Sequence, residues 1–236
     1  MKAVILAGGL GTRMGDETAS RPKPLVEVGG RPLLWHILKG YQAYGLSDFV
    51  ICAGYAGNLI TDYFRQEQTE QWRVQVVDTG ETTATAGRLR RARSVIGEST
   101  FCMTYGDGVS NLDIAKLIAF HRQQGKLVTL TAVHPRLPFG VVTFSRNGHS
   151  AVGFEEKPRL TDLWVNSGFF VIEPPALDYI EGDDQPWEQG PMTRLAREGQ
   201  LAAYQHEGFW QCMDAPRDRE LLEELWSGGS APWKAW

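Results

Sequence analysis

Residues 3–13, AVILAGGLGTR, join a short apolar run to a cluster of glycines and an arginine. The run AVILA is continuous and aliphatic, which predicts a strand buried on both faces of a parallel sheet. Gly8, Gly9 and Gly11 follow the strand directly. Glycines at the carboxyl end of a strand let backbone N–H groups approach an anion with no Cβ in the way. The stretch therefore predicts an α/β fold with a local anion site where the first strand ends.

Short apolar runs alternate with helical patterns through about the first 135 residues. The predicted strands are 3–7, 48–54, 72–78, 99–108 and 126–133, and the predicted helices are 31–44, 58–66, 87–97 and 112–125. This alternation indicates a mostly parallel central sheet with helices on both faces. Beyond this point the pattern predicts shorter, partly antiparallel strands at 140–145, 151–157 and 163–172. With no repeat or linker, residues 1–236 are predicted to form a single domain of two parts, about 1–135 and about 136–236.

The composition argues against several classes of protein. A net charge of −4 over 236 residues provides no broad basic field, so a nucleic-acid partner is not expected. No apolar stretch approaches the roughly 20 residues needed to span a bilayer, and the apolar start is too short for a signal sequence. Cys52, Cys102 and Cys212 form no C-x-x-C pair, so neither a zinc site nor a disulfide is indicated. We therefore expect a soluble cytoplasmic protein with no membrane partner and three buried free thiols.

The glycine cluster matches neither of two well-known phosphate-binding patterns. A dinucleotide fingerprint would place Met14 where its third small residue belongs, and no Gly-Lys-Ser/Thr follows as an ATPase loop requires. Arg13 and Lys23 instead add a planar and a compact cation, which together suit a polyphosphate. Pro22 and Pro24 stiffen the backbone on either side of Lys23. The alternative is a plain glycine turn with two solvated cations.

Two aspartates follow predicted strands in the motifs YGDG (105–108) and QCMDAPRD (211–218). Asp107 and Asp214 at strand ends are the kind of ligands that an octahedral Mg²⁺ shared with substrate phosphates requires. Each aspartate taken alone is also typical of a turn or a helix cap, so the pattern leaves both interpretations open. The five histidines show no triad or ligand spacing, and we interpret them as structural.

Taken together, the motifs resemble those of the sugar-1-phosphate nucleotidyltransferases, and most narrowly of the members that use CTP and glucose 1-phosphate. The strings that carry the resemblance are LAGGLGTRM (6–14), RPKPLVEVGGRPLLWHIL (21–38), DTGETTATAGRL (78–89), YGDGVSNLDI (105–114), FEEKP (154–158), NSGFFV (166–171) and GFWQCMDAPRD (208–218). The resemblance covers nearly the whole chain. It implies a Rossmann-like nucleotidyltransferase fold, with a nucleotide-binding first part and a smaller, partly antiparallel sugar-binding second part.

The resemblance also implies an activity: transfer of a cytidylyl group from CTP to glucose 1-phosphate with Mg²⁺ as cofactor, by a homo-oligomer. A phosphomonoester with a second pKa of about 6 is mostly dianionic at neutral pH, so no general base is required. Other nucleotides (dTTP, UTP or GTP) and other sugars (mannose or heptose 1-phosphate) remain open. A catalytically silent nucleotide-sugar-binding subunit is a further alternative. It would lack at least one of Arg13, Lys23, Asp107, Lys157 and Asp214, all of which are present.

Individual roles follow from the resemblance position by position. The nucleotide-binding residues implied are Leu6, Ala7, Gly8, Gly9, Gly11, Thr12, Arg13, Lys23, Thr83, Arg88 and Gly106. The residues implied for the sugar phosphate are Gly140, Glu156, Lys157, Asn166 and Gly168. The catalytic set is Arg13, Lys23, Asp107 and Lys157, and the metal ligands are Asp107 and Asp214. The aromatic residues Trp164, Phe169, Phe170 and Trp210 are predicted either to wall the sugar or to belong to the core.

The chain departs from the family pattern at two places. Ala86 stands in TAGR (85–88) where the family has a glycine, and we expect its methyl group to restrict approach to the nucleotide. The segment between Tyr63 and Trp72 is shorter than in typical relatives, where it reaches toward a neighbouring subunit. The terminal stretch SGGSAPWKAW (227–236) carries two tryptophans, which we expect to pack on the body or on a second subunit.

Overall fold

The computed structural model describes residues 1–18, 21–67, 69–137 and 139–236. The strands are β1 (Ala3–Ala7), β2 (Glu27–Val28), β3 (Arg31–Pro32), β4 (Asp48–Ala53), β5 (Arg73–Asp78), β6 (Phe101–Tyr105), β7 (Gly108–Ser110), β8 (Val128–Val133), β9 (Val141–Phe144), β10 (Ala151–Glu155), β11 (Val165–Ile172), β12 (Leu201–His206) and β13 (Trp210–Cys212). The α-helices are α1 (Leu33–Gln42), α2 (Gly57–Gln66), α3 (Thr85–Arg91), α4 (Arg93–Ile96), α5 (Ile114–Gln124), α6 (Pro191–Arg197) and α7 (Pro216–Ser227).

Seven strands form the central sheet, in the order β12–β8–β11–β6–β1–β4–β5. Neighbouring strands are parallel, except that β11 runs antiparallel to both β6 and β8. The predicted mostly parallel α/β sheet is therefore confirmed. Strand β11 of the second part lies between β6 and β8 of the first, so the two predicted parts share one sheet.

Strand β1 is continuously apolar because both of its faces are buried. All five of its residues are buried, and alternate residues enter two different cores. Ala3, Ile5 and Ala7 face the core formed with α1, α2, α5 and α7, whereas Val4 and Leu6 face the core formed with α3, α4 and α6. A strand covered by helices on both sides has no solvent face and so no polar position.

The parallel register brings the carboxyl ends of three strands together. Ala7 of β1 pairs with Ala53 of β4, and Leu6 pairs with Tyr105 of β6. The N–H of Gly106 donates to the carbonyl of Leu6 at 2.9 Å, which continues the pairing one residue past β6. The loops after β1, β4 and β6 therefore meet at one edge of the sheet, where open α/β sheets bind ligands.

The chain's last residues pack on the body, as predicted. Trp233 is buried, lies 6.2 Å from the ring of Trp226 and 5.7 Å from Phe209, and directs its indole nitrogen at the ring of His36. Burial lowers the pKa of His36 to about 4, so this ring is neutral at physiological pH. Among the described residues, no helix is both long and apolar enough to cross a bilayer.

Strands β9 and β10 form a separate two-stranded ribbon. Phe154 pairs directly with Val142 across this ribbon, and both side chains are exposed. Phe144 and Val152 of the same ribbon are also exposed. The ribbon thus presents apolar side chains to solvent rather than to the core.

Candidate active site

A cavity of about 390 Å³ opens at the carboxyl ends of β1 and β6. The eleven residues implied for nucleotide binding all line it: Leu6, Ala7, Gly8, Gly9, Gly11, Thr12, Arg13, Lys23, Thr83, Arg88 and Gly106. Asp107, Pro24, Thr85 and Tyr105 are further wall residues, and the last two were not assigned from the sequence. Nearly all of these residues lie within three residues of a strand end or a helix start, so the sheet edge itself builds the cavity.

The glycine loop turns sharply at Gly11. Its φ of +65° lies in the left-handed region that favours glycine, and a Cβ there would come 3.0 Å from the Lys23 Cβ. The Gly11 carbonyl accepts hydrogen bonds from the N–H of Met14 and the hydroxyl of Thr18, each at 3.0 Å. The loop is thereby folded into the short 3₁₀ segment Thr12–Thr18, which carries Arg13 to the mouth of the cavity.

Lys23 lies between the two predicted metal ligands. Its Nζ donates to Asp107 Oδ2 at 2.9 Å and to Asp214 Oδ1 at 2.6 Å, and Arg13 Nη1 lies 2.8 Å from Asp214 Oδ2. Burial works to lower the pKa of Lys23, but the charge of Asp107 and the hydrogen bonds to Asp214 and Asp107 outweigh it. The pKa therefore stays above its usual value, and the lysine is a fixed cation. Lys23 is therefore not a solvated surface cation, whereas the Arg13 side chain is largely exposed and paired with Asp214.

Asp214 reaches this cluster through a short strand pair. Strand β13 pairs antiparallel with β7, and the Met213 N–H donates to the Asp107 carbonyl at 2.7 Å. The helix-capping role is taken by Asp218, whose carboxylate accepts from the N–H groups of Asp214 and Ala215 at 2.9 and 2.8 Å. The Asp214 carboxylate is thus directed at Lys23 and Arg13 rather than at the helix start.

The residues present suit a hard divalent cation. Asp107, Asp214 and Cys212 offer ligand atoms that all lie within 4.8 Å of one another. Burial and the charges of Asp107 and Asp214 raise the pKa of the Cys212 thiol. The carboxylates of Asp107 and Asp214 offer the hard oxygen ligands that Mg²⁺ prefers, whereas a sulfur ligand suits softer metals. The sequence placed Cys212 among the buried free thiols, whereas it is half-buried at the site.

A second cavity of about 260 Å³ adjoins the first and shares Arg13, Tyr105 and Asp107 with it. Asn166 and Gly168 line it, as implied for the sugar side. Gly168 is required there, because its φ is +83° and a Cβ would lie 2.4 Å from the Tyr105 ring. Asp107 therefore lines both cavities, and Asp214 lines the second. We name the first the donor cavity and the second the acceptor cavity, after the roles proposed for them.

The aromatic candidates separate into wall and core. Trp210 lines the acceptor cavity, where its indole nitrogen donates to the Ser167 carbonyl at 2.8 Å. Phe169 and Phe170 are buried in the core, and Trp164 packs on His134 at 3.7 Å between ring centroids.

Three residues implied for the sugar phosphate are not among the residues that line either cavity: Gly140, Glu156 and Lys157. They lie at the base of the β9–β10 ribbon, where a Cβ on Gly140 would meet a Glu156 carboxylate oxygen at 2.9 Å. The Lys157 side chain is 64% exposed, with its Nζ 3.8 Å from Glu156. The structure therefore keeps these residues together but does not bring them to Asp107.

Arg88 lines the donor cavity, yet its guanidinium is buried and bound to the protein. Nη1 donates to the carbonyls of Ala53 and Gly80 and to the Thr79 hydroxyl, at 3.2, 2.8 and 2.8 Å. Nη2 donates to the carbonyls of Gly8 and Glu81, at 2.9 and 3.2 Å. The four hydrogens of these two nitrogens are thus engaged by loop acceptors, at the wall of the cavity that Arg88 lines.

Two further expectations can be compared with the structure. Ala86 is buried in the core with Leu89 and is not among the cavity-lining residues. We expected its methyl group to restrict the approach to the nucleotide, but the group faces the core instead. None of the five histidines is among the residues lining the two cavities, in agreement with their structural interpretation. His121, for example, is buried and hydrogen-bonded to Thr129 and Glu173.

Comparisons with known proteins agree with this geometry. Residues 2–211 match the family model described as nucleotidyl transferase. The chain is 46% identical to the glucose-1-phosphate cytidylyltransferase of Salmonella typhimurium and 45% identical to that of Salmonella typhi, over the full length of each pair. It also resembles the crystal structure of HddC from Yersinia pseudotuberculosis, with a TM-score of 0.74 at 21% identity, covering 95% of this chain and 99% of that one. Because the family model covers most of the chain and these two relatives match it from end to end, the chain belongs to the nucleotidyl transferase family, as a sugar-1-phosphate nucleotidyltransferase.

Proposed function

We propose that this chain transfers a cytidylyl group from CTP to α-D-glucose 1-phosphate, giving CDP-glucose and pyrophosphate. The observation that carries the proposal is the meeting of two cavities at Asp107, with Lys23, Arg13 and Asp214 around the junction. The choice of CTP and glucose 1-phosphate is supported by two relatives of that name, at 45% and 46% identity over the full chain.

In the proposed reaction, a phosphate oxygen of the sugar phosphate attacks the α-phosphorus of CTP. A new P–O bond forms at the α-phosphorus, and the bond from that atom to the bridging oxygen of the β-phosphate breaks. The electron pair of the broken bond leaves on pyrophosphate. The attacking group is already mostly dianionic at neutral pH, so no side chain has to remove a proton. The work of the protein is to hold two polyanions in line and to neutralise their charge.

We propose that the donor cavity binds the triphosphate of CTP. We propose that the N–H groups of the loop after β1 bind phosphate oxygens, and that Arg13 and Lys23 hold the β- and γ-phosphates as charge grows on the leaving group. Arg13 is well suited because its side chain is exposed at the cavity mouth, where a ligand can recruit its planar fork. Thr83 and Gly106 complete the proposed nucleoside side of this cavity.

Asp107 and Asp214 are the proposed ligands of Mg²⁺. The fit rests on two carboxylates whose oxygen atoms already lie close together. When bound, the ion would neutralise charge on the α-phosphate and on the attacking phosphate. Lys23 holds the two aspartates in its absence, and the polyphosphate offers that lysine a new anionic partner.

On the acceptor side, some of the proposed sugar-binding residues line the cavity and others do not. Asn166, Gly168 and Trp210 line the cavity in which we propose that the sugar binds. Glu156 and Lys157 are proposed to bind the sugar hydroxyls and the phosphate, with Gly140 beside them. The support for these three residues is the FEEKP motif and its resemblance to the family, because the structure leaves them on the ribbon base.

We further propose that the chain forms a homo-oligomer and acts in the cytoplasm. A two-stranded ribbon with Phe144 and Phe154 exposed is only marginally stable on its own in water, and covering it with a second chain would stabilise it. Light scattering of the wild type and of Phe154→Ser tests this: an oligomer that the substitution dissociates supports the proposal, and a monomeric wild type contradicts it.

Pyrophosphate release is the direct test of the activity. The protein is incubated with Mg²⁺ and each of CTP, UTP, dTTP and GTP, against glucose, mannose and heptose 1-phosphates. Release that is fastest with CTP and glucose 1-phosphate supports the proposal. A higher rate with another nucleotide or sugar overturns that part of it, and no release with any pair overturns the enzymatic assignment.

A further inference from the structure

The strand pair β7–β13 carries both proposed metal ligands at one of its ends. Asp107 directly precedes β7, and Asp214 follows β13 after one residue, Met213, whose N–H donates to the Asp107 carbonyl at 2.7 Å. The pair is a two-stranded sheet of its own, outside the seven-stranded sheet. Its position relative to the rest of the molecule therefore depends largely on how its side chains pack.

Trp233 packs at the opposite end of this strand pair. Its indole ring stacks on Phe209, which directly precedes β13, with 5.7 Å between the ring centroids. Phe209 is in turn bound to residues at the end of β7. Its N–H donates to Asn111 Oδ1 at 2.7 Å, and its carbonyl accepts from the Ser110 hydroxyl at 2.7 Å. The position of the Phe209 ring thus affects both strands of the pair.

The same indole is hydrogen-bonded to the part of the chain that follows Lys23. Trp233 Nε1 donates to His36 Nδ1 at 3.4 Å, and we assign the proton of the His36 ring to Nε2, which donates to the Val28 carbonyl at 2.8 Å. This assignment is consistent because burial lowers the pKa of His36 to about 4, and a neutral imidazole has one donor and one acceptor nitrogen. Val28 belongs to β2, which comes shortly after the 3₁₀ segment Lys23–Leu25.

From these contacts we infer that Trp233 is a positioning residue: it holds the Lys23 ammonium against the two carboxylates of the proposed metal site. One buried indole joins the strand pair that carries the carboxylates to the segment that carries the ammonium. Lys23 Nζ lies 2.9 Å from Asp107 and 2.6 Å from Asp214, so a shift of the strand pair would lengthen both hydrogen bonds. The inference rests on the proposed function, in which the same carboxylates bind Mg²⁺ and the lysine serves the triphosphate.

Helix α7, which begins shortly after Asp214, leads to the same indole. Trp226 lies in the last turn of α7 and stacks on Trp233 with 6.2 Å between the ring centroids. Trp226 is itself closely packed against Gly29, where a Cβ would come 2.0 Å from its indole ring. The two elements that flank Asp214 along the chain, β13 and α7, thus both connect to aromatic rings that stack on Trp233.

Loosening this indole should change the site in a way that a general loss of stability would not. The two aspartates stand at the same end of one strand pair, so the β7–β13 ladder keeps their spacing. What loosens is the ammonium between them, which competes with a divalent ion for the same oxygen atoms. A folded variant should therefore bind a metal ion more tightly and react more slowly. A residue that only supports the fold would weaken metal binding or leave it unchanged.

Mn²⁺ titration followed by electron paramagnetic resonance tests this in nucleotide-free protein that circular dichroism shows to be folded. Trp233→Leu removes both the ring stack and the indole N–H. We expect it to bind Mn²⁺ about two- to fivefold more tightly than the wild type and to release pyrophosphate about 10- to 100-fold more slowly. Trp233→Phe keeps a ring against Phe209 and should return both values most of the way to those of the wild type.

A double-mutant cycle with Lys23→Met distinguishes positioning of the ammonium from other causes. In the Lys23→Met protein there is no ammonium to position, so adding Trp233→Leu should leave Mn²⁺ affinity unchanged. Trp72→Leu is the matched control, because Trp72 packs on Phe49 and Phe64 beside β5, at the far edge of the central sheet. It should lower the melting temperature without changing Mn²⁺ affinity.

Phe209→Leu provides a second variant in case Trp233→Leu does not fold. Phe209 is half-buried, and its bonds to Asn111 and Ser110 use backbone atoms that the substitution keeps, so the same tightening of Mn²⁺ binding is expected. Mn²⁺ binding that is unchanged or weaker in the folded variants, or an equal tightening in the Lys23→Met protein, would overturn the inference. A wild type that binds Mn²⁺ but releases no pyrophosphate would instead count against the proposed function, and the Mn²⁺ affinities would still decide this inference.

Discussion

Replacing Lys23 by methionine tests whether the lysine ammonium competes with a divalent metal ion for Asp107 and Asp214. The Lys23 ammonium stands between the carboxylates that are the proposed metal ligands, at 2.9 Å from Asp107 and 2.6 Å from Asp214. A divalent ion that enters the nucleotide-free protein must therefore displace the ammonium from both. Methionine has nearly the same length and volume but no charge, so Lys23→Met removes this competition.

The size of the effect follows from the exposure of the partners. A hydrogen bond to a charged group contributes about 1.5–3 kcal/mol when it is shielded from water. The Lys23 side chain is only 10% exposed, but those of Asp107 and Asp214 are 30% and 36% exposed, so screening reduces the combined contribution to about 1–2 kcal/mol. We therefore expect Lys23→Met to bind Mn²⁺ about 5- to 30-fold more tightly than the wild type in the absence of nucleotide.

Turnover should change in the opposite direction. Lys23 is a buried cation that lines the donor cavity, and removing one preorganised group of this kind typically costs about 10²- to 10³-fold in rate. Metal affinity and activity would thus separate: the variant would hold the ion better and react more slowly. A residue that only supports the fold would weaken both.

Mn²⁺ titration followed by electron paramagnetic resonance measures the affinity, and pyrophosphate release measures turnover. Lys39→Met is the matched control, because Lys39 is similarly shielded and paired with Glu70 but lies away from the cavities, and it should leave both values unchanged. Mn²⁺ binding to Lys23→Met that is no tighter than to the wild type would refute the reasoning, as would turnover within about threefold of the wild type.

Four further predictions rest on separate contacts. Asp107→Ala should abolish turnover with circular dichroism unchanged, and near-normal turnover would remove Asp107 from the metal site. Lys157→Ala should raise the KM for the sugar phosphate about tenfold or more with no change in melting temperature, since its side chain is 64% exposed; an unchanged KM would leave it without a role in binding. Gly8→Ala places a Cβ 2.0 Å from Arg88 and should destabilise the fold by about 1–3 kcal/mol in denaturant unfolding, whereas an unchanged midpoint would contradict the packing. His36 has a pKa of about 4 in the folded protein against a usual 6.5, so the unfolded chain takes up the proton first as the pH falls. The free energy of unfolding should therefore decrease by up to about 3 kcal/mol from pH 6.5 to pH 4. His36→Gln should flatten this part of the stability profile, and an equally steep profile would exclude His36 as its source.

Much of the fold was predictable because its signals are local. A continuous apolar run such as 3–7 indicates a strand with two buried faces, and the observed β1 has the same bounds. The central strands and most helices match their predicted positions within a few residues for the same reason. Short strands carry less signal: the observed strand Gly108–Ser110 was not predicted, because three residues show no periodicity and the predicted strand 99–108 was expected to end there in a turn.

The candidate site was predictable where its residues follow strand ends. The whole implied nucleotide-binding set lines one cavity, since parallel strands bring their carboxyl ends to one edge. Lys157 shows the limit of a motif, because its position depends on how a ribbon outside the sheet is placed. Cys212 shows another limit, since an apolar neighbourhood in sequence predicts burial but not proximity to two carboxylates.

By itself, the sequence determined the kind of fold, the glycine loop and the charged residues that serve it, because each depends on neighbours within a few positions along the chain. Only the tertiary structure decided how these residues act together. The pairing of β13 with β7 brings Asp214 to Asp107 across more than a hundred residues, and the folded chain brings the carbonyls of Gly8, Ala53 and Gly80 to the guanidinium of Arg88. Such contacts join residues that lie far apart along the chain. They depend on the distances between side chains in the folded protein, which the order of residues alone does not give.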